Sequence, residues 1–271
     1  MTQICYSTNG LKNHDLTTAF SLIKQNGFDG IELAITNEHF SDFNFVGQID
    51  HLNQIIQKTS ANITNIHTGE PHLLSSTQHH PSLVTTDKSE RQQRIDFIIS
   101  VIKFSKAINC ANVTIVSGLI EDADNESNAW ENLEESLHQL ISNSPDGITI
   151  LIEQEPEMFI NNTEHLLKLI DVFKGKIKIN LDIGHLEVIK EDISESILAL
   201  KDHILNIHIE DIKDNVHQHL LPGEGEIDFS PFFKTLKDIN YQGYLTADLY
   251  PFSDIAEKAL KTTHQFLIKY L

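Results

Sequence analysis

Arginine is scarce in this sequence. Of its 20 basic residues only Arg91 and Arg94 are arginine, and 39 acidic residues bring the formal net charge to -19 at pH 7 with histidine neutral. Such a negative field repels phosphate backbones, and arginine is the side chain that most often binds them. The composition therefore argues against a nucleic-acid partner or an anionic membrane surface.

Cysteines and long apolar runs are also lacking. Cys5 and Cys110 are too few for a disulfide framework and form no C-x-x-C pair, so we expect two reduced, buried thiols. The first residues, MTQICYSTNGL, lack the basic start and apolar stretch of a signal peptide. No run approaches the ~18 apolar residues of a membrane span. We therefore expect a cytoplasmic protein without a membrane segment.

Short β-branched runs alternate with longer segments of helical period along the whole chain. In NAWENLEESLHQLI, for example, Trp130, Leu133 and Leu137 recur at helical spacing. The runs that predict strands are 3–7, 30–34, 62–67, 112–117, 148–153, 177–182, 204–208 and 243–248. Nearly continuous apolar strands separated by helices indicate a parallel sheet covered on both faces. Eight such units predict an α/β fold, a single-domain (β/α)8 TIM barrel over residues 1–271.

An open, doubly wound sheet is the alternative fold. That fold usually has a glycine-rich phosphate loop after its first strand, whereas CYSTNGLKNHD contains one glycine, Gly10. We therefore prefer the barrel. Two long connections, 71–87 and 209–228, follow predicted strands, and loops of that length are often functional.

Four consecutive predicted strands end in a polar side chain after an apolar run. These strand-end residues are Glu153, Asp182, His208 and Asp248. Active sites of (β/α)8 barrels lie at the C-terminal strand ends, so the four side chains should meet at one rim. Three carboxylates without a counter-charge would resist ionisation, and a divalent cation with a neutral imidazole ligand removes that penalty. The four residues therefore predict a metal site.

The donor types restrict the metal. Carboxylate oxygens with one imidazole suit Mn²⁺, Mg²⁺, Co²⁺ or Fe²⁺ and are compatible with Zn²⁺, while the lack of thiol ligands argues against a closed structural zinc site. A strand-end carboxylate can instead cap the following helix. Strand parity also places Glu155 on the same face as Glu153, so Glu155 is an alternative ligand. We prefer Glu153 because it closes the apolar run.

At these residues the sequence resembles the sugar phosphate isomerase/epimerase family of xylose isomerase-like TIM barrels. This family includes ketose 3-epimerases, hydroxypyruvate isomerase, inosose dehydratase and, more remotely, endonuclease IV. The resemblance is carried by LDIGHL with its D-x-x-H, by IHIEDIK, and by PGEGEIDF followed by YQGYLTADL. It runs from GFDGIEL near residue 30 to GYLTADLY near residue 245 and is specific for the family but not for a substrate.

The resemblance implies roles for individual residues. Glu153, Asp182, His208 and Asp248 would bind the metal, and His185 of the D-x-x-H would contact substrate hydroxyls beside it, with Gly184 allowing the chain to turn. A structural histidine whose ring nitrogens are satisfied within the protein is the alternative for His185. In epimerase members the cation polarises a ketose carbonyl, and a carboxylate on each face removes or returns the neighbouring proton. Glu153 and Asp248 would be that pair. Epimerases have a glutamate where this chain has Asp248, so its role as ligand and base stays open.

Further substrate contacts are expected near the same rim. Glu32 on the second strand and His67 on the third could bind substrate oxygens, and Lys213 could meet a phosphate or carboxylate. A salt bridge or a solvated position is an equal alternative for Lys213. Outside this set, Asn13-His14 and His79-His80 are interpreted as surface residues, and His217 and His219 are left unassigned.

The sequence thus predicts a divalent-metal-dependent isomerase or epimerase that moves a proton α to a carbonyl of a small sugar, sugar phosphate or polyol-derived ketone. A lyase or dehydratase on the same metal site is one alternative, and a non-catalytic sugar-binding barrel is another. A metal-dependent endonuclease is disfavoured by the acidic charge and by Ser117, where that branch supplies an imidazole. The expected partner is a small polyhydroxylated substrate. Family members often pair as homodimers, but no segment of the sequence identifies an interface.

Overall fold

In the computed structural model, eight parallel strands close into a barrel. The structure describes residues 2–41, 43–120 and 126–271. The strands are β1 (Gln3–Ser7), β2 (Gly30–Ala34), β3 (Ile63–His67), β4 (Asn112–Val116), β5 (Thr149–Glu153), β6 (Lys178–Asp182), β7 (Ile204–Ile209), β8 (Asp211–Lys213), β9 (Val216–Leu220) and β10 (Tyr244–Ala247). The order around the barrel is β1-β10-β7-β6-β5-β4-β3-β2, while β8 and β9 form a separate antiparallel hairpin. The predicted (β/α)8 barrel is therefore confirmed, and the open sheet is excluded.

Helices connect and cover the barrel strands. They are α1 (Leu16–Gln25), α2 (Phe45–Thr59), α3 (Lys88–Ala107), α4 (Glu126–Asn143), α5 (Thr163–Phe173), α6 (Ile183–Ile189), α7 (Ile193–Leu200), α8 (Phe229–Asp238) and α9 (Ala256–Leu267). Short polar side chains fix several helix starts. Asp15 accepts a hydrogen bond from the backbone N–H of Thr18, and Asp87 accepts from Ser89 and Glu90. These caps satisfy N–H groups that have no partner within their helix.

Apolar side chains fill the layer between the barrel and its helices. Phe20, Leu133 and Phe232, from three different helices, are all buried, and burial of such a side chain contributes about 1.5–3 kcal/mol. Cys5 and Cys110 are unpaired and buried, as expected. Burial raises the pKa of these thiols to about 12 and about 11, so both behave as small apolar groups.

The inside of the barrel holds a layer of buried polar side chains instead of the branched aliphatic groups that usually fill such barrels. Nδ2 of Asn65 donates to Oγ1 of Thr114 at 2.8 Å. Nδ2 of Asn206 donates to Oδ1 of Asn180 at 2.8 Å, and Oγ1 of Thr246 donates to Oδ1 of Asn206 at 2.7 Å. This layer forms a hydrogen-bonded floor beneath the C-terminal mouth.

The long connection after the seventh barrel strand, which the sequence predicts as a loop, contains the β8–β9 hairpin. The hairpin carries His217 and His219 to the mouth of the barrel, where both line a cavity. Across the described ranges, no helix combines the length and apolar character that a membrane crossing needs.

Candidate active site

Nδ1 of His208 lies among three carboxylates. It is 3.0 Å from Oε1 of Glu153, 3.6 Å from Oδ2 of Asp182 and 3.8 Å from Oδ2 of Asp248. The strand register explains this arrangement, because Asp182 and His208 are paired across β6 and β7, and Asp248 follows β10 on the other side of β7. The structure thus brings the four predicted ligand residues together at the C-terminal rim.

The donor set fits a divalent cation. Nδ1 of His208 and Oδ2 of Asp182 are buried, and neither makes a hydrogen bond. Nε2 of His208 lies 2.8 Å from Oε2 of Glu32. A carboxylate oxygen accepts a hydrogen bond, so this contact favours the proton on Nε2. With the proton at Nε2, the lone pair of the neutral imidazole is at Nδ1, among the carboxylates.

Asp182, His208 and Asp248 have donor atoms close enough together to hold a cation, and Glu153 forms a neighbouring group of this kind with His67 and His208. Carboxylate oxygens with one imidazole nitrogen are a suitable set for a hard or borderline ion.

A proton is the alternative counter-charge at this point. Burial lowers the pKa of His208, but Glu32 and Glu153 outweigh it and raise the pKa well above the ordinary value. Burial likewise opposes ionisation of Asp182, yet His185 and His208 lower its pKa to about 2. A proton on Nδ1 and a cation would therefore compete for the same lone pair, so cation binding here releases a proton.

Asp182 uses its two oxygens differently. Oδ1 accepts a hydrogen bond from the backbone N–H of His185 at 3.0 Å and so caps α6. Oδ2 faces His208 at 3.6 Å. The helix-cap interpretation of a strand-end carboxylate therefore accounts for one oxygen and leaves the other for a ligand.

His67 contacts Glu153 from the side of β3. Its Nε2 lies 2.5 Å from Oε2 of Glu153, while Oε1 of the same carboxylate faces His208. Burial disfavours the charged form of His67, but Glu153 and Glu32 raise its pKa to about 9. Burial also disfavours ionised Glu153, but His208 and His67 hold its pKa well below the ordinary range. His67 thus fixes the orientation of Glu153 and also lines the cavity at the rim.

Three of the expected substrate contacts lie away from that cavity. His185 is 2% exposed and does not line it, because its Nδ1 faces the carbonyl oxygen of Gln154 and its Nε2 faces His217.

Glu32, the third residue of β2, is completely buried inside the barrel, where Oε2 accepts from Nδ2 of Asn65 at 2.7 Å and faces His208. The expectation of a rim position is corrected because Glu32 precedes the strand end by two residues. Lys213 is exposed at the end of β8 and does not line the cavity.

A cavity of about 360 Å³ opens at the C-terminal mouth of the barrel. Its wall includes Asp248, His67, Glu155 and Tyr250. The volume lies at the lower end of the range of small-molecule sites, about 300–1,000 Å³. The carboxylate cluster around His208 therefore meets a cavity of suitable size for a small molecule.

Glu153 and Glu155, the two alternatives for one ligand, occupy different positions. Glu153 is the one that contacts His208, whereas Glu155 lines the cavity with Oε2 3.6 Å from Nε2 of His185. Burial raises the pKa of Glu155 to about 7 although His185 opposes the shift. A carboxyl group with such a pKa is suited to exchange protons with a bound molecule near neutral pH.

A second cluster lies beside the first. Nε2 of His217 is 2.9 Å from Nε2 of His185 and 2.7 Å from Nε2 of His219. Nδ1 of His185 and Nδ1 of His219 each face a backbone carbonyl oxygen, at 2.6 and 2.9 Å. Glu210 is completely buried against His219, and burial raises its pKa to about 8. These four residues also have donor atoms close enough together to hold a cation.

Strand parity could have indicated most of this second cluster. Glu210 follows His208 by two residues, and His219 follows His217 by two, so each pair shares one face of an extended segment. Gly184 has a different role from the expected turn. It lies within α6, and a Cβ there would overlap the side chain of Glu210.

His79 also differs from the expectation of a surface residue. It is half-buried and lines the cavity. Burial, with a contribution from Arg94, lowers its pKa to about 4, so the imidazole is neutral near pH 7. The sequence does not indicate the half-buried position of His79, because the polar segment 71–87 has no periodicity that distinguishes its inner from its outer face.

Comparisons with known proteins identify the family and the fold. The model of the family described as xylose isomerase-like TIM barrel matches residues 20–270. L-ribulose-5-phosphate 3-epimerase UlaE of Shigella flexneri serotype 5b is 27% identical over 232 residues, 82% of this chain and 78% of that protein. Inosose dehydratase of Clostridium perfringens is 28% identical over 138 residues, 44% of this chain and 46% of that protein, less than half of either. The crystal structure of IOLI protein with a bound zinc atom has a similar fold, with a TM-score of 0.83 at 18% identity over 99% of this chain and 98% of that one.

Proposed function

Because the chain belongs to the family of xylose isomerase-like TIM barrels, we propose that it is a divalent-metal-dependent isomerase or epimerase. Its reaction would be proton transfer α to the carbonyl of a small sugar, sugar phosphate or polyol-derived ketone. The observation that carries the proposal is the approach of Glu153, Asp182 and Asp248 to within 3.0 to 3.8 Å of Nδ1 of His208. The similarity to a sugar epimerase and to an inosose dehydratase supports an enzyme that acts on sugars.

In this proposal Glu153, Asp182, His208 and Asp248 hold the cation, for which Mn²⁺, Mg²⁺, Co²⁺, Fe²⁺ and Zn²⁺ are all suitable. Zinc in the related IOLI structure supports a divalent ion. When bound, the ion would supply Lewis acidity to a carbonyl and its neighbouring hydroxyl and would acidify the proton on the carbon between them.

The chain's own side chains would then move the proton and orient the substrate. Glu153 ends β5 and Asp248 follows β10, and β6 and β7 lie between these two strands, so the two carboxylates approach His208 from different directions. One would remove the proton and the other would return it on the opposite face. Glu155, which lines the cavity, would bind substrate hydroxyls, and the buried His185, whose Nε2 lies 3.6 Å from Oε2 of Glu155, would hold that carboxyl group in position. His67 would hold Glu153 in the required orientation.

Solvent-proton exchange tests this function. The Mn²⁺-loaded protein would be incubated in D₂O with free ketoses, ketose phosphates and inososes, and deuterium incorporation would be followed by NMR. Glu153→Gln should lower turnover by about 100-fold or more, the usual contribution of a general base, while circular dichroism shows a retained fold. Glu224→Gln, which changes an exposed glutamate, is the matched control. Turnover of Glu153→Gln at the wild-type rate would refute the assignment.

A dehydratase at the same site is the second candidate, favoured by the match to inosose dehydratase. Removal of the α proton would then be followed by loss of a β-hydroxyl instead of proton return. The same NMR experiment separates the two reactions, because epimerisation leaves deuterated products of the substrate's composition, whereas dehydration removes water.

A purified protein that retains no divalent ion would favour a non-catalytic sugar-binding barrel instead.

A further inference from the structure

We propose that the substrate is an uncharged polyhydroxylated ketone and not a phosphorylated sugar. This inference rests on the proposed function and narrows the substrate class that the sequence left open. Two separate features support it. The first is the pairing of the cationic side chains around the cavity. The second is the glycine loop of residues 222–225, whose backbone N–H groups already bind a carboxylate of the protein.

The cavity wall has several acids and one paired lysine. Among the described residues that line it, Lys12 is the one lysine or arginine. Its acidic side chains are Glu70, Glu155, Glu157 and Asp248. Nζ of Lys12 lies 2.8 Å from Oε2 of Glu70, so its charge is already neutralised. A phosphate dianion would have to break this pair and approach further carboxylates, and like charges placed together in an interface are strongly unfavourable.

Both arginines of the chain have structural partners. Arg94 is 5% exposed on α3, and its Nη2 donates to the carbonyl oxygen of Thr68 at 2.9 Å. Arg91 is 4% exposed and pairs through Nη2 with Glu135 at 2.8 Å. Residues 121–125 contain neither lysine nor arginine. No guanidinium is therefore left for the bidentate binding of a phosphate that arginine usually provides.

The glycine loop after β9 is already filled by an internal carboxylate. In (β/α)8 enzymes, the loops after the seventh and eighth barrel strands frequently bind phosphate, and successive backbone N–H groups can form such an anion site. Here the N–H groups of Gly223 and Gly225 donate to Oδ2 of Asp211 at 2.8 and 2.9 Å. Those of Ile212 and Ile227 donate to Oδ1 at 2.9 and 3.1 Å. Asp211 is 1% exposed, so these four donors are withdrawn from any external anion.

The remaining polar groups of the cavity suit hydroxyls. Carboxylates such as Glu155 and Asp248 accept hydrogen bonds from sugar hydroxyl groups without a charge on the ligand. His79 adds no positive charge, because burial and Arg94 lower its pKa to about 4.

His67 and His219 also line the cavity, and their raised pKa values favour the charged imidazolium, but each is already paired with a carboxylate, His67 with Glu153 and His219 with Glu210. A phosphate ester would therefore bring two negative charges to a wall whose cationic side chains are already neutralised, whereas an uncharged polyol needs no counter-charge.

Matched pairs of substrates test the inference. L-ribulose and D-fructose would each be compared with their terminal phosphate esters on the Mn²⁺-loaded full chain, with kcat/KM measured from deuterium incorporation. We expect each free sugar that reacts to exceed its phosphate ester by about tenfold or more in kcat/KM, the size of a modest electrostatic penalty. A smaller ratio, or a preference for the phosphate esters, overturns the inference.

Failure of the proposed function gives a different result, namely no turnover of either member of any pair. Charge selectivity is then measured by the shift in Tm at equal ligand concentration. A larger shift with the free sugar supports the inference, and an equal or larger shift with the phosphate ester overturns it.

Asp211→Ala tests the glycine loop directly. The substitution frees the four N–H groups, so inorganic phosphate should raise the Tm of this variant more than that of the wild type. Asp228→Ala, which removes the exposed cap of α8, is the matched control. A variant that folds only with phosphate present also supports an anion site occupied by Asp211. A variant whose stability, or failure to fold, does not respond to phosphate contradicts it.

Discussion

Oε2 of Glu32 lies 2.8 Å from Nε2 of His208, and both side chains are completely buried inside the barrel. The opposite ring nitrogen, Nδ1, faces the carboxylates of Glu153, Asp182 and Asp248. A carboxylate that accepts the second N–H of a metal-ligating imidazole fixes its tautomer and increases its basicity. Glu32 is therefore suited to fix the tautomer of His208 from inside the barrel, without contact with the substrate.

Replacement of Glu32 should consequently weaken cation binding. We expect Glu32→Gln to raise the Kd for Mn²⁺ or Zn²⁺ by about 10- to 100-fold, the usual cost of losing such a supporting group. Isothermal titration calorimetry measures the effect. Glu70→Gln removes a carboxylate at the cavity that pairs with Lys12, and it should leave the Kd unchanged. Equal Kd values for Glu32→Gln and the wild type would show that His208 needs no such support.

Asp248 is expected to act as one of two bases despite its short side chain. Asp248→Asn should lower epimerisation by about 10²- to 10⁴-fold, because the amide cannot accept the proton. Deuterium exchange into one of the two epimers should persist, because Glu153 can still remove and return the proton on its own face of the substrate. Asp248→Glu, which keeps the carboxylate, is the control for charge. Loss of exchange into both epimers with full metal content would assign both steps to one residue.

The barrel and its four strand-end residues could be predicted because they follow the simplest periodicities. Each barrel strand in the structure begins and ends within one residue of its predicted range. Asp182 and His208 end apolar runs, and the parallel register alone brings such residues to the same rim. This part of the site depends on local pattern and on the closure of the sheet.

The parts that escaped prediction depend on contacts distant in sequence. Glu32 lies in the interior because Asn65 and Asn206 from other strands complete its polar surroundings. His217 reaches the cavity because its segment forms a hairpin with β8, which a polar sequence does not indicate. The period of two shows which residues share a face of a strand, but the surroundings that this face meets become visible only once the partners across the barrel are known.

Metal removal should lower thermal stability. An ion at about 100 times its Kd stabilises the folded state by about 2.7 kcal/mol, and about 2–4 °C per kcal/mol is usual for a chain of this size. EDTA should therefore lower the Tm of the Mn²⁺-loaded protein by roughly 5–10 °C. Asp182→Asn should abolish this difference, whereas Asp192→Asn, which alters only the cap of α7, should preserve it. Differential scanning calorimetry with and without EDTA provides the comparison, and an EDTA effect retained in Asp182→Asn would exclude Asp182 as a ligand.

The pH dependence of stability should reveal the buried carboxyl group of Glu210. Burial raises its pKa from 4.5 to about 8, so the folded protein keeps a proton that the unfolded chain releases over this interval. Because the folded state binds more protons, the free energy of unfolding falls as the pH rises from 4.5 towards 8. One proton corresponds to a slope of about 1.4 kcal/mol per pH unit at most.

Glu210→Gln should therefore flatten this pH profile, because the amide stays neutral and has nearly the same shape. The free energy of unfolding of the variant should still fall somewhat as the pH rises, because His185 also keeps its proton in the folded state. Burial lowers the pKa of His185, but Asp182 outweighs burial and raises it to about 9. Urea unfolding between about pH 5 and pH 8 in the presence of EDTA measures the difference in slope. Glu224→Gln, at an exposed position, should follow the wild type. If Glu210→Gln keeps the wild-type slope, Glu210 is ionised in the folded protein, and its charge must be balanced by the neighbouring His219.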